Sequence, residues 1–463
     1  MMAARYAQRS PMLDTEVAVL VDTFRRLMRR RARTNLMKAL NKTHPADLAL
    51  LFRSFTESER TFLFDLIKET PHVGEFLTEL DSSITRELLQ TLEPAEVATL
   101  LSEVSSDDMA DILHLLPDDM ASAVLESLKK EESEELEELM AYPPDTAGGK
   151  MAVNVFSLPE TTTVGDAIKS IRTAQEAEMV FYLYVTDELK RLTGVVSLRD
   201  LVTAQPDAQL KTIMTRDVVS VTPETDQEEV ARQVSRYNLL AIPVVGSDGT
   251  LLGIVTVDDV VDVIREEATE DFLQMAGIGR DRELLWKPTL ENVRLRLPWL
   301  FATWVGGVVV AWISGYFESV LSFIAIPAFI PVILGMGGNV GTQSSTIIVR
   351  GFATGRIHLS QAGKVIWKQL RIGLVLGLFY GLLLGLVASW RFVDAPPRLG
   401  MVVGLAIAIS MLVASLIGTL IPILLRRLNV DPAVASGPFV TTSTDLMGIV
   451  LYFLIAASLL SAT

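Results

Sequence analysis

The sequence predicts a multidomain membrane protein: an all-α helical-repeat N-terminal region, a duplicated α/β pair, and an α-helical transmembrane region of five helices. Three observations carry this. Charge and hydropathy separate along the 463-residue chain: from Leu300 onward there are 9 basic and 4 acidic residues, whereas residues 1–299 hold 32 and 52. Apolar runs long enough to cross a bilayer crowd the last third. In the middle, one short segment occurs twice. An acidic half joined to an apolar half excludes a disordered chain, a secreted disulfide scaffold and a nucleic-acid binder with a global basic field. The chain has no cysteine, which excludes thiol catalysis and Cys-ligated zinc or iron–sulfur centres.

Residues 15–141 read as helical and leucine-rich. "HPADLALLF" at 44–52 returns as "EPAEVATLL" at 93–101, with a shorter echo in "LPDDMASAVLESL" at 116–128. Each places Pro at the first turn beside an acid, a normal helix start. A stack of helical hairpins follows, the form of a scaffold. The basic run "FRRLMRRRARTNLMK" at 24–38 reads as a solvated helix face. No apolar leader with a small-residue cleavage site opens the chain, so these residues are expected in the cytoplasm.

Residues 142–268 hold the duplication. A helix is followed by two β-rich runs and a turn, and the second run leads into a helix. Aligning "LTGVVSLRDLV" with "LLGIVTVDDVV" gives Gly194/Ser197/Asp200 and Gly253/Thr256/Asp259 at equivalent positions. A connecting segment is expected over 269–297 and a membrane region over 298–463, with spans near 298–319, 322–348, 367–390, 400–424 and 437–461. Twelve basic residues fall in the loops on the N-terminal side and two (Arg391, Arg398) on the other. That bias places the N-terminus inside and the C-terminus outside a cell membrane.

Asp445 stands in the fifth span. A carboxylate near the midplane costs at least about 2.5–3.5 kcal/mol to insert, and such residues face a polar pathway or a partner. Thr441 and Gly448 share its face. In the second span Asn339, Thr342, Gln343 and Thr346 follow i, i+3, i+4, i+7 spacing and form one polar stripe. The ligand set is hard oxygen throughout, which disfavours Cu(I) and zinc and favours Mg2+, Ca2+ or Mn2+. Mg2+ sheds its waters reluctantly, so a polar, mildly anionic ring can hold it hydrated. Charge alone leaves Mg2+, Co2+ and Ni2+ unseparated. Acids also crowd Asp107, Asp108 and Asp111, and again Asp258 through Asp271, where Asp259, Asp262, Glu266 and Glu270 share a helix face and repel. Their place beside the connection to the membrane points to regulatory divalent-cation binding. No Walker loop, nucleophile–base pair or histidine cluster points to an enzyme or an ATP-driven pump.

The duplicated unit resembles a CBS-domain pair, which implies a module that binds adenosine nucleotides such as ATP, with Ser197, Asp200 and Thr256 at the ribose or phosphate. The order of the regions, with "GMGGNVGTQSSTIIVRG" at 335–351 and "DPAVASGPFVTTSTDLMGI" at 431–449, resembles the MgtE family of Mg2+ channels over the whole chain. The resemblance implies a homodimer in the lipid bilayer with its pore between the two transmembrane halves. It implies that Asp445 binds hydrated Mg2+ with help from the Thr441 carbonyl, and that Asn339 and Gln343 line the pore. It also implies that Asp107, Asp111, Asp259, Asp262, Glu267, Glu270 and Asp271 bind regulatory Mg2+ between the helical domain, the CBS pair and a connecting plug helix. Glu318 matches the family as well.

Overall fold

Ten helices run between Asp14 and Met140 among the described residues, and the sequence repeats explain where several begin. Helices Pro45–Phe52 and Pro94–Leu101 carry proline in the first turn, where its missing N–H is no loss. Asp118–Ser127 follows Pro117 as its N-cap residue. Across the ten helices the apolar faces are buried, among them Leu51, Phe52, Leu63, Phe76, Val97 and Leu101. Helix α1 (Ser106–Leu115) buries Met109, Ala110, Ile112 and Leu113 and opens with Asp107 and Asp108.

The structure, a computed structural model, describes residues 14–102, 104–173, 181–278, 289–317, 325–393, 396–434 and 437–460. It divides into two compact units, Met1–Asp262 and Val263–Thr463. Glu318 lies outside the described residues.

The duplication takes its expected form within the first unit. Strand β1 (Ser157–Pro159) pairs parallel with β2 (Tyr182–Thr186), which pairs antiparallel with β3 (Leu192–Ser197). Strands β4 (Ala241–Val245) and β5 (Leu251–Thr256) repeat the antiparallel pair. Even the irregularity is repeated: the register slips at Val185/Thr186 in one pair and at Val244/Val245 in the other. Ala152 exchanges backbone hydrogen bonds with Ile254 on β5, 2.8 and 3.0 Å, and so ties the segment after the helical repeats to the second half of the pair.

β5 runs directly into α2 (Val257–Met275). The connecting stretch expected over 269–297 is therefore not one helix. α2 begins at the end of β5, and its last turn closes at Gly277, whose φ of +70° suits glycine. There the Gly277 N–H donates to Gln274 O and the Ile278 N–H to Leu273 O, a Schellman cap.

Five long helices follow in the second unit: α3 (Thr289–Tyr316), α4 (Ala325–Ala353), α5 (Ala362–Arg391), α6 (Leu399–Arg427) and α7 (Pro438–Leu460). Among the described residues four of them, α3, α5, α6 and α7, are long and apolar enough to cross a membrane. In α4 the run of Gly, Asn, Gln, Ser and Thr from Gly335 to Thr346 dilutes the hydropathy. α5 and α6 pack backbone to backbone: a Cβ at Gly377, Gly381 or Gly385 would meet a carbonyl of α6 at 2.5–2.7 Å. The Tyr452 hydroxyl of α7 donates to Ile326 O at 2.9 Å inside the bundle and pins α7 to the start of α4.

The α2 cap sits on the start of α7. A Cβ at Gly437 would fall 2.2 Å from Met275 O, and one at Gly277 would fall 2.9 Å from Pro438 Cγ. Trp299 of α3 meets Phe439 edge-to-face at 6.4 Å beside this contact.

Candidate functional site

Two groups of residues carry chemistry, one in each unit. In the membrane unit, α7 starts at Pro438 and brings Asp445 two turns down, half-buried. Facing it is a gap in α4. An added Cβ at Gly338 would have only Asp445 Oδ1 nearby, 3.8 Å away, and one at Gly335 or Gly337 would meet nothing within 4 Å. Below the gap the helices close up: a Cβ at Gly341 would lie 2.8 Å from Thr444 Cγ2, and one at Gly418 of α6 would lie 2.1 Å from Gly341 O. Asn339, Gln343 and Thr346 are exposed in the protomer, and Thr342 is half-buried. The polar stripe is thus brought to the protomer surface.

The threonine hydroxyls turn back to their own helix. Thr441 Oγ1 donates to Gly437 O and Pro438 O at 3.1 Å, and the Thr441 carbonyl accepts the Thr444 hydroxyl at 2.9 Å. Both protons are spent on the helix's own backbone, so only hydroxyl lone pairs remain for a cation. A polar knot behind the stripe was not legible in the sequence. Ser344 Oγ bonds Ser415 Oγ at 3.4 Å and Ser415 Oγ donates to Gln369 O at 2.9 Å, which locks α4, α5 and α6 together.

In the first unit, α1 meets the second half of the α/β pair through the segment 150–153. Lys150 Nζ donates to Asp111 Oδ2 at 2.7 Å and the Val153 N–H to Ser106 Oγ at 3.1 Å. The first turn of α2 presents Asp259 to the same place. Thr256 holds the Asp259 carboxylate through its hydroxyl and its N–H. Burial pushes the Asp259 carboxyl up to about 8, and the charges of Asp107, Asp258 and Asp108 add to it. Burial and Asp107 raise Asp108 to about 6. Burial also raises Asp107, whose Oδ1 is enclosed with no hydrogen-bond partner among the described residues. Four carboxylates, Asp107, Asp108, Asp111 and Asp259, therefore act on one another from two elements far apart in sequence.

Among the described residues no three acids or imidazoles converge tightly enough to form a ready-made metal cage. The donor set nevertheless fits a hydrated divalent cation: all the donors are hard oxygens, and the orphaned Asp107 Oδ1 lacks a donor that a bound water supplies. Asp262 is exposed, while Glu267, Glu270 and Asp271 are half-buried farther along α2. Glu270 accepts from Gln274 Nε2 at 2.6 Å. At the repeat motif, Ser197 Oγ donates to Asp200 Oδ2 and accepts the Asp200 N–H, capping the helix Leu198–Thr203. Ser197 is half-buried and Asp200 exposed, whereas Thr256 is buried and engaged with Asp259.

The chain is 38% identical over 435 residues to the magnesium transporter MgtE of Thermus thermophilus, covering 92% of this chain and 95% of that protein. It is 33% identical over 422 residues to the magnesium transporter MgtE of Bacillus subtilis, covering 90% and 92%. The chain belongs to the MgtE family. Models for the family's parts match in order: the MgtE intracellular N domain at 43–145, CBS domains at 149–207 and 210–266, and the divalent cation transporter region at 330–455. The MgtE relatives are transporters, not enzymes. The cytosolic domain of the Mg2+ channel MgtE, crystallised in complex with ATP, is similar over 52% of this chain and 99% of its own length, at 36% identity and a TM-score of 0.50.

Proposed function

We propose that this MgtE-family chain conducts Mg2+ into the cell through a pore between two copies, and that cytosolic Mg2+ closes it. The observation that carries the proposal is Asp445 facing the side-chain-free gap at Gly338 of α4, the helix that also exposes the amides of Asn339 and Gln343. Amides and a carboxylate turned to lipid would cost several kcal/mol, of order 2–4 each. A second copy covering this face turns the same groups into the wall of a wet pathway. Doubled, Asp445 supplies two formal negative charges, enough to hold a divalent ion through its waters. All five long helices, α4 included, cross the membrane in this reading, with the N-terminal unit cytoplasmic and the C-terminus external.

Closure follows from the acidic junction and α2. At low cytosolic Mg2+ the carboxylates of Asp107, Asp111 and Asp262 repel, as do Glu267, Glu270 and Asp271 farther along, and Asp259 keeps its proton until a cation takes its place. Bridging ions favour the compact, closed state only by binding it more tightly than the open one. About 5.5 kcal/mol of differential affinity, spread over several ions, inverts a 99:1 population. An adenine nucleotide at the Ser197–Asp200 corner would bias the same equilibrium; the ATP complex of the related cytosolic domain supports this part.

Mg2+ flux into liposomes carrying the purified protein, with no other energy source, is the test. Wild type is expected to conduct, and Asp445→Asn to lose most of the flux at equal reconstitution. Undiminished flux in Asp445→Asn would sink the pore assignment.

A further inference from the structure

Lys150 stands inside the acidic junction, and neither the sequence motifs nor the proposed closure uses it. Its side chain is one-fifth exposed and its Nζ lies 2.7 Å from Asp111 Oδ2. Its charge also reaches Asp108 and offsets part of the rise in that carboxyl. The backbone around it is fixed. The Lys150 N–H donates to Thr146 O at 3.1 Å, and two residues on, Ala152 is paired with Ile254. From this fixed backbone the four-carbon arm carries the ammonium to Asp111.

We propose that Lys150 is a tethered ammonium that competes with Mg2+ for the carboxylates of Asp111 and Asp108, and so sets the cytosolic Mg2+ concentration at which closure occurs. The inference rests on the junction being a regulatory site. A divalent ion draws the four carboxylates toward a common centre, and the hold of Lys150 on Asp111 opposes that movement. Lys150 supplies one positive charge where Mg2+ supplies two. The ammonium leaves Asp107 Oδ1 without a donor, whereas the water shell of Mg2+ brings donors on every side. Exchange of the ammonium for the metal therefore improves both the charge balance and the hydrogen bonding, but Mg2+ has to displace a charge that never diffuses away. Such a competitor raises the metal concentration needed by a fixed factor and leaves the conducting path untouched.

The test uses the full-length protein in two measurements. Flux in proteoliposomes is recorded as Mg2+ on the cytosolic face is raised, and hydrogen–deuterium exchange of α1 and residues 146–153 is followed over the same titration. Lys150→Met is expected to move both midpoints to roughly tenfold lower Mg2+, as removal of a close charge allows. Lys150→Gln shifts them in the same direction and guards against a folding defect, while Lys150→Arg stays within about twofold of wild type. In an Asp111→Asn background, Lys150→Met is expected to add little. Midpoints that stay put or rise in both Lys150→Met and Lys150→Gln would overturn the competition. A wild type that conducts but shows neither inhibition nor protection by Mg2+ would overturn the regulatory reading beneath it. Protection without inhibition would overturn the regulatory reading alone, and its midpoint would still decide the role of Lys150.

Discussion

Asp259 shows what one residue's surroundings can do to the whole chain. Its carboxyl is raised to about 8 by burial and by Asp107, so the folded protein holds this proton more tightly than the unfolded chain, where the ordinary value is 3.8. The stability from this group is full below about pH 4 and is lost as the pH climbs through about 8. Thermal unfolding in chelator is therefore expected to fall in midpoint from mildly acid to mildly alkaline solution, and Mg2+ to flatten the profile. Asp259→Asn keeps an oxygen for the Thr256 contacts, and is expected to be the more stable protein in chelator at pH 8 and the less responsive to Mg2+. A profile unchanged by Asp259→Asn would count against the junction. At this scale the sequence was uneven in what it revealed. Asp445 was legible because an acid in an apolar run carries a large insertion cost. Lys150 was not, because its partner Asp111 lies 39 positions away and a single lysine after two glycines has no periodicity. For Thr441 the helical spacing gave the face, but not the rotamer that turns its hydroxyl back to Gly437.

The long helices depend on how closely their backbones approach. Gly418 of α6 sits against the carbonyl of Gly341, and a Cβ there would be 2.1 Å from that oxygen. Gly418→Ala is expected to lower stability by about 1–3 kcal/mol, the usual cost of forcing atoms into a packed site. Gly363→Ala, with nothing within 4 Å, is expected to be neutral or slightly stabilising. Thermal unfolding in detergent compares the two, and equal midpoints would refute the packing argument. The element boundaries show where sequence reasoning stops. Apolar counting placed the first span at 298, yet α3 begins at Thr289. Hydropathy reads the hydrocarbon core and misses a helix that continues into a segment carrying Arg294 and Arg296. The two antiparallel strand pairs of the CBS repeat were legible because the repeat is internal, whereas the short β1 was not, and the matching slips in β2–β3 and β4–β5 are the geometric trace of that duplication.

For the whole molecule, the exposed stripe on α4 is the face that the proposed second copy covers. Because the chain has no native cysteine, Asn339→Cys introduces a unique thiol. Modification of that thiol by a bulky, water-soluble reagent is expected to block Mg2+ flux, and detergent-solubilised protein is expected to run at the mass of a dimer. Unimpaired flux after complete modification would place Asn339 outside the pathway. Lastly, the seam between Met275 and Gly437 is made of main chain on both sides. Side-chain contacts can yield by changing rotamer, but two abutting backbones cannot. In the closure proposed above, a push on the end of α2 passes to the foot of α7 through this seam, as mechanical displacement and not as an electric field. Gly437→Ala wedges that seam open and is expected to leave flux indifferent to cytosolic Mg2+ while the acidic junction still binds it, which the exchange titration of α1 would register.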